Sequence, residues 1–234
     1  MRIGNASDLE PRISVLSQAT PTVFVVDDDL SVRESLELLL KSAGWQPVIC
    51  ASAAEFLSRP SALTPSCLIL DVALPGLNGF DLLSLVADRP YLPVIFVTGC
   101  GDIAMTVRAM KAGAVEFLTK PFEGEVLLDA VRQALDRSRA VLSREAEVQI
   151  LRQRYVSLSP RERQVMALVA VGRLNKQVGV ELGISEITVK AHRGTMMRKM
   201  KAQSLVDLLH MASTLHVTPH AASHPEDQRL TRTV

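Results

Sequence analysis

Apolar positions along the chain follow two different rhythms. In the first half, short apolar runs alternate with stretches in which apolar residues recur every three to four positions. The runs at 22–27, 46–50, 67–71, 93–98 and 114–118 have the length of strands and are bounded by Gly, Pro or charged residues. The stretches at 30–43, 52–58, 78–87 and 102–112, and another from about 122, carry helical spacing. Five strands with helices between them predict a doubly wound α/β fold, a parallel five-stranded sheet covered on both faces. Gly44 and Gly113 stand where helices end, and Ser52 and Asn78 where they begin.

The second half carries no strand rhythm. From Phe122 to about Arg154 nothing interrupts a helix. Val126, Leu127, Ala130, Val131, Ala134 and Leu135 form an apolar face for the sheet, and Val141, Leu142, Val148 and Leu151 continue it among many charges. That continuation fits either a pairing coiled coil or a solvated connector. Ser159-Pro160-Arg161-Glu162 is a capping box with Pro at the first helical position, opening a helix to about Val171. Three more helices follow at Asn175–Leu182, Glu186–Met200 and Ser204–Ala212, the first two joined by the tight turn Gly183-Ile184-Ser185. A short helix, a glycine turn and a helix bearing Thr, Lys, His and Arg together make a helix-turn-helix pattern.

In the third helix Ile187, Val189 and Met196 read as core. Thr188, Lys190, Ala191, His192, Arg193 and Arg198 read as exposed DNA contacts, with Arg193 the base reader because its fork matches guanine edges. Gly194 marks close approach to DNA or is merely tolerated in a helix. The expected organisation is a flexible extension at 1–20, an α/β domain at 21–138, a helical linker at 139–156, a small all-α four-helix domain at 157–214 and a disordered tail at 215–234. His216, His220 and His224 are spaced by four, but Pro219 interrupts any helix there, so they read as solvated tail rather than a metal stripe.

Composition adds the partners. The 234 residues are 47% hydrophobic, enough for two small domains with real cores. No apolar run approaches a membrane span, Met1–Thr20 has no long apolar leader core, and Cys50, Cys67 and Cys100 are far apart and odd in number. These features predict a cytoplasmic protein without membrane contact or a disulfide frame. The net charge of +1 hides an asymmetry. Residues 21–125 hold 13 acidic and 7 basic residues, a net of −6, whereas residues 150–213 hold 4 acidic and 11 basic, a net of +7. The second domain should therefore face a polyanion.

Candidate chemistry gathers at predicted strand ends. Asp27-Asp28-Asp29 follow the first strand, Asp71 ends the third, Thr98 the fourth, and Lys120-Pro121 follow the fifth. In open α/β sheets that edge binds ligands. Acids, a hydroxyl and an amine on one rim can hold a divalent cation and a phosphoryl group. A second reading takes Asp27-Asp28-Asp29-Leu30-Ser31 as the Asp-x-Asp-x-Ser motif of a haloacid-dehalogenase-type phosphatase with Asp27 as nucleophile. It leaves Asp71 and the helix-turn-helix unexplained.

Val-Val-Asp-Asp-Asp, Leu-Asp-Val-Ala-Leu-Pro-Gly-Leu-Asn-Gly, Val-Thr-Gly and Lys-Pro-Phe occur here in the order and spacing of a two-component receiver domain. Residues 22–125 resemble such a receiver, and 157–213 resemble the DNA-binding domain of the LuxR/FixJ/NarL class. Met-Lys-Ala-Gly-Ala-Val-Glu-Phe-Leu and Leu-Ser-Pro-Arg-Glu-Arg-Gln-Val are most similar to the FixJ branch. The resemblance implies a transcription factor rather than an enzyme with a separate substrate. Asp71 is then the phosphoacceptor for a sensor histidine kinase. Asp27, Asp28, Asp71 and the carbonyl of Ala73 serve Mg²⁺, Thr98 and Lys120 contact the phosphoryl group, Phe117 is the aromatic switch, and Lys120-Pro121 is cis. It further implies a homodimer on phosphorylation, a double-stranded operator and contact with RNA polymerase. Ala73 lacks the polar side chain the family often carries there, Leu74 replaces its common Met, and Gly99 leaves the pocket beside Thr98 open.

Overall fold

The computed structural model describes residues 20–60, 64–99 and 101–218. Most of the expected extension at 1–20, most of the tail at 215–234, and Cys100, His220 and His224 lie outside the described residues. The described chain divides into two compact units, with the division at Ala146/Glu147.

The first unit is built on five parallel strands, β1 (Thr22–Val26), β2 (Gln46–Cys50), β3 (Ser66–Asp71), β4 (Val94–Thr98) and β5 (Glu116–Thr119), in the order β2-β1-β3-β4-β5. Side-chain alternation sorts each strand between two cores. Phe24, Val26, Leu68, Leu70, Phe96 and Phe117 point to one face, with α2 (Ala53–Leu57), α3 (Gly79–Leu85) and α4 (Ile103–Lys111) over them. Val23, Val25, Cys67, Ile69, Ile95 and Val97 point to the other, under α1 (Leu30–Ser42) and the first part of α5 (Gly124–Val156). Burial on both faces explains why β1, β3 and β4 read as unbroken apolar runs. The fifth strand begins at Glu116, two residues later than its pattern suggests, because Gly113 (φ +93°) and Ala114 still belong to the turn closing α4.

β1 pairs with β2 on one side and β3 on the other, so the chain reverses its winding direction there and opens a crevice at the carboxyl edge. α3 starts immediately beside that edge. A Cβ on Gly79 would stand 2.5 Å from the Asp71 carbonyl oxygen, so only glycine lets the helix approach so closely. On α5, the buried Ser138 hydroxyl accepts from the Ser66 amide (3.0 Å) and donates to the Tyr91 carbonyl (2.5 Å).

The second unit contains α6 (Pro160–Ala170), α7 (Asn175–Leu182), α8 (Glu186–Met200) and α9 (Leu205–Thr214). Ser159 and Glu162 form the expected capping box. Glu162 is itself buried and also accepts from Lys199 Nζ at 2.7 Å, which ties α6 to α8. Val165, Met166, Val178, Val189, Met196, Met200 and Leu208 share the core, and Leu215 and Val217 pack onto it past the expected end at Thr214.

Candidate functional site

Each strand end delivers one part of the cleft. β1 runs into Asp27 and Asp28, β3 ends on Asp71, β4 ends on buried Thr98, and β5 leads through Thr119 to Lys120. Oxygens of Asp27, Asp28 and Asp71 lie within 4.8 Å of one another. Lys120 Nζ donates to Asp27 Oδ2 at 2.7 Å and to Asp71 Oδ2 at 2.8 Å. The other Asp71 oxygen accepts from the Ala73 amide (2.9 Å), and Asp27 Oδ1 accepts from the Asp29 amide (3.0 Å). The Lys120–Pro121 peptide is cis, and the Lys120 amide donates to the Thr98 carbonyl at 2.7 Å.

Burial dominates the electrostatics. It pushes the Asp27 carboxyl above the ordinary aspartate value, against the lowering effect of Lys120. Burial alone would lower the Lys120 ammonium, but its hydrogen bonds to Asp27 and Asp71 outweigh this and raise it. Three carboxylates against one ammonium leave two negative charges in excess, and every donor in the cluster is a hard oxygen. That set fits a divalent cation of the Mg²⁺ class.

Asp29 lies outside this cluster. Its carboxylate caps α1, accepting from the amides of Ser31 and Val32, as acids at helix starts do. Phe117 is buried, its ring 6.2 Å from that of Phe96, which in turn lies 5.0 Å from Phe80. Arg108 on α4 covers Phe80 at 4.3 Å. Sequence reasoning passed over Arg33, whose Nη1 donates to the Asp27 carbonyl at 2.7 Å. A cation in the first turn of the helix that follows an acidic triplet was the available signal.

α8 departs from its expected faces. Val189 and Met196 are buried, but Ile187 is 80% exposed. At about 100° per residue, Ile187 stands opposite both, so it cannot share their core. Arg193 falls toward the inner face and donates to Asn175 Oδ1 at 3.0 Å, engaged with α7. Thr188, Lys190, Ala191 and Arg198 are exposed and His192 is half-buried. Ser185 caps the helix, and Gly183 (φ +66°) takes the left-handed conformation that ends α7.

Residues 23–132 match the family described as response regulator receiver domain, and 156–212 match that of bacterial regulatory proteins of the luxR family. Nodulation protein W of Bradyrhizobium diazoefficiens is 49% identical over 209 residues, covering 89% of this chain and 91% of that protein. Transcriptional regulatory protein FixJ of Azorhizobium caulinodans is 42% identical over 84% of this chain and 94% of its own length. The low-resolution structure of the response regulator StyR superposes with a TM-score of 0.73 at 47% identity, covering 83% of this chain and 99% of that one. A parallel sheet with an acidic carboxyl edge, joined to a helix-turn-helix, defines a DNA-binding response regulator. The chain belongs to that family, as a FixJ-like member with a receiver and a LuxR-type domain. It is thus a regulator of transcription in a two-component system, a class that works with a sensor kinase and DNA. This membership replaces the phosphatase reading of Asp27. Among the described residues no helix is long and apolar enough to cross a membrane.

Proposed function

We propose that the chain is switched by phosphotransfer from a sensor histidine kinase to Asp71. One observation carries the reading: Asp71 shares one cleft with Asp27, Asp28 and the bridging ammonium of Lys120. An Asp71 carboxylate oxygen attacks phosphorus, the bond to the donor's imidazole breaks, and an acyl phosphate forms. Two anions must meet in that step. Asp28, Asp71 and the Ala73 carbonyl would hold a Mg²⁺, with Asp27 assisting through water, and the ion would supply the positive charge that offsets the developing negative charge. Lys120 leaves its carboxylate partners to pair with a phosphoryl oxygen, and Thr98 offers its hydroxyl to another. Phe117 follows Thr98 as the switch.

Residues 21–138 act as the receiver, 139–156 as the linker and 157–214 as the DNA-binding domain, all in the cytoplasm. Phosphorylation pairs two receivers through the face of α4, β5 and α5. Exposed Ile103, Val107, Met110 and Val126 supply apolar area there. The dimer places two copies of α8 on adjacent half-sites of a double-stranded operator, where the exposed Thr188, Lys190, Ala191 and Arg198 face the duplex, and RNA polymerase is the downstream partner. The test is intact mass after incubation with acetyl phosphate and Mg²⁺. Wild type gains one phosphoryl group, and Asp71→Asn gains none. Modification of the Asn variant at the wild-type rate removes Asp71 from the mechanism.

A further inference from the structure

Ile187 stands near the amino end of α8 with four-fifths of its surface in water. Helical geometry places Ala191, Gly194 and Arg198 on the same stripe, four, seven and eleven residues on. The stripe lies opposite Val189, Met196 and Met200, which are fully buried, so it is the outward midline of the helix. Before Arg198, that midline offers no side chain able to hydrogen-bond a base. Two cations of α8 that lie off this midline, Lys190 beside it and Arg193 on the inner side, are engaged within the protein. Lys190 pairs with Glu186 at 3.1 Å, and Arg193 donates to Asn175. A Cβ built on Gly194 meets nothing within 4 Å, so nothing of the protein covers the stripe there.

A branched aliphatic at this place favours a ligand that is apolar locally and anionic overall, because residues 150–213 carry a net charge of +7. Duplex DNA meets both demands. Among base edges in the major groove the apolar group is the C5 methyl of thymine. We propose that Ile187 is a specificity-determining residue of the DNA interface, packing on a thymine methyl in each half-site. Arg193 is a positioning residue, holding α8 against α7 through Asn175 rather than reading a guanine. The inference rests on the proposed function, in which α8 is the helix facing DNA.

The probe is a duplex selected from a random-sequence library by the full-length chain phosphorylated with acetyl phosphate and Mg²⁺. It is resynthesised with deoxyuridine replacing one thymine at a time. Deoxyuridine keeps every hydrogen-bonding group and lacks only the methyl. Wild type should bind about fourfold more weakly when the contacted thymine is changed, corresponding to about 0.8 kcal/mol for one buried carbon. Ile187→Ala, at an exposed position that leaves thermal stability unchanged, should bind the thymine and uracil duplexes alike. Arg193→Lys and Asn175→Ala should weaken binding to all sequences by the same factor and leave preference at every position intact. If no sequence is enriched, the DNA-binding reading falls and takes this inference with it. If a duplex is enriched but every deoxyuridine change is silent, or Ile187→Ala keeps the full methyl penalty, the DNA reading stands and the role of Ile187 is overturned.

Discussion

The carboxyl edge of the sheet and the outer face of α8 are built on opposite plans. In the cleft Asp27, Asp71 and Lys120 already hold one another at 2.7–2.8 Å, and backbone amides take the remaining carboxylate oxygens. On α8 the partners face inward, through Asn175 for Arg193 and the core for Val189 and Met196, while Ile187, Ala191 and Gly194 on the outward midline are exposed. Three of the cleft's charged groups are already satisfied by one another, so its chemistry can be read from the groups that converge. In the proposed function the helix face is half of an interface whose other half is DNA. Its chemistry is defined by what is left unpaired.

The sharpest way to break that contrast is to remove the cation. With EDTA present, Asp27, Asp28 and Asp71 leave two uncompensated charges facing the donor, and phosphorylation should fall below detection by intact mass. DNA binding by unphosphorylated protein should change little, because α8 needs no metal. Equal labelling in EDTA and Mg²⁺ would sink the metal reading of the cleft.

Next in size is Gly79→Ala. The new Cβ would meet the Asp71 carbonyl at 2.5 Å and the Val72 Cα at 3.0 Å, both backbone, so α3 must shift away from the phosphoacceptor. Overpacking of this kind costs about 1–3 kcal/mol. The chain's single tryptophan, Trp45, packs against the receiver core, so urea unfolding followed by its fluorescence reports this unit. An unchanged midpoint together with unchanged phosphorylation would show that the close approach is dispensable.

The same contrast accounts for how much was legible in the sequence. Strand ends are marked twice, by an apolar run and by the polar residue that breaks it. The sheet, the cleft residues and the helix-turn-helix therefore follow from pattern and motif together. Strand-end placement alone picks out Asp27, Asp28, Thr98 and Lys120 as rim chemistry, and the motif adds the role each is expected to take. Face assignment on α8 did not come through. Hydrophobicity assigns Ile187 to the inside and charge assigns Arg193 to the outside, yet both depend on angular position about the helix axis. Val189, Met196 and Met200 fix that angle only when taken as a set. The bond from Arg193 to Asn175 spans 18 residues, and no local pattern announces it. Arg33 was missed for a related reason, since its contact is with a carbonyl and not with a side chain.

A smaller effect separates the two units by pH. The Lys199 ammonium beside Glu162, helped by the Ser159 amide, holds the Glu162 carboxyl below its ordinary value. A depressed carboxylate contributes stability above its unfolded pKa, and loses it as pH falls through the folded value. The helical unit should therefore weaken as pH drops below about 4.3, the free glutamate value. Glu162→Gln should flatten that slope, and Ser159→Ala should cost about 1 kcal/mol at neutral pH through loss of the cap. Denaturant unfolding of residues 147–218, followed by circular dichroism at several pH values, checks both. A slope that survives in the Gln variant would assign the acid sensitivity elsewhere.

The smallest expected effect belongs to Lys190, and it tests the comparison at its least protected point. Its partner Glu186 lies four residues back, both side chains are largely exposed, and such pairs contribute about 0.3–0.5 kcal/mol. Lys190→Ala should hardly change folding. On DNA the pair must open if the ammonium is to reach a phosphate, so the gain is a difference between two weak attachments. The variant should bind all sequences slightly less well, with the salt dependence of log K shallower by about one. Glu186→Gln should do the reverse, freeing Lys190 and tightening binding to every duplex without changing which one is preferred. If Lys190→Ala instead alters preference at a single base pair, Lys190 reads that base directly. The outward midline would then not be the whole of the recognition surface, and α8 would resemble the cleft in using a cation already paired within the protein.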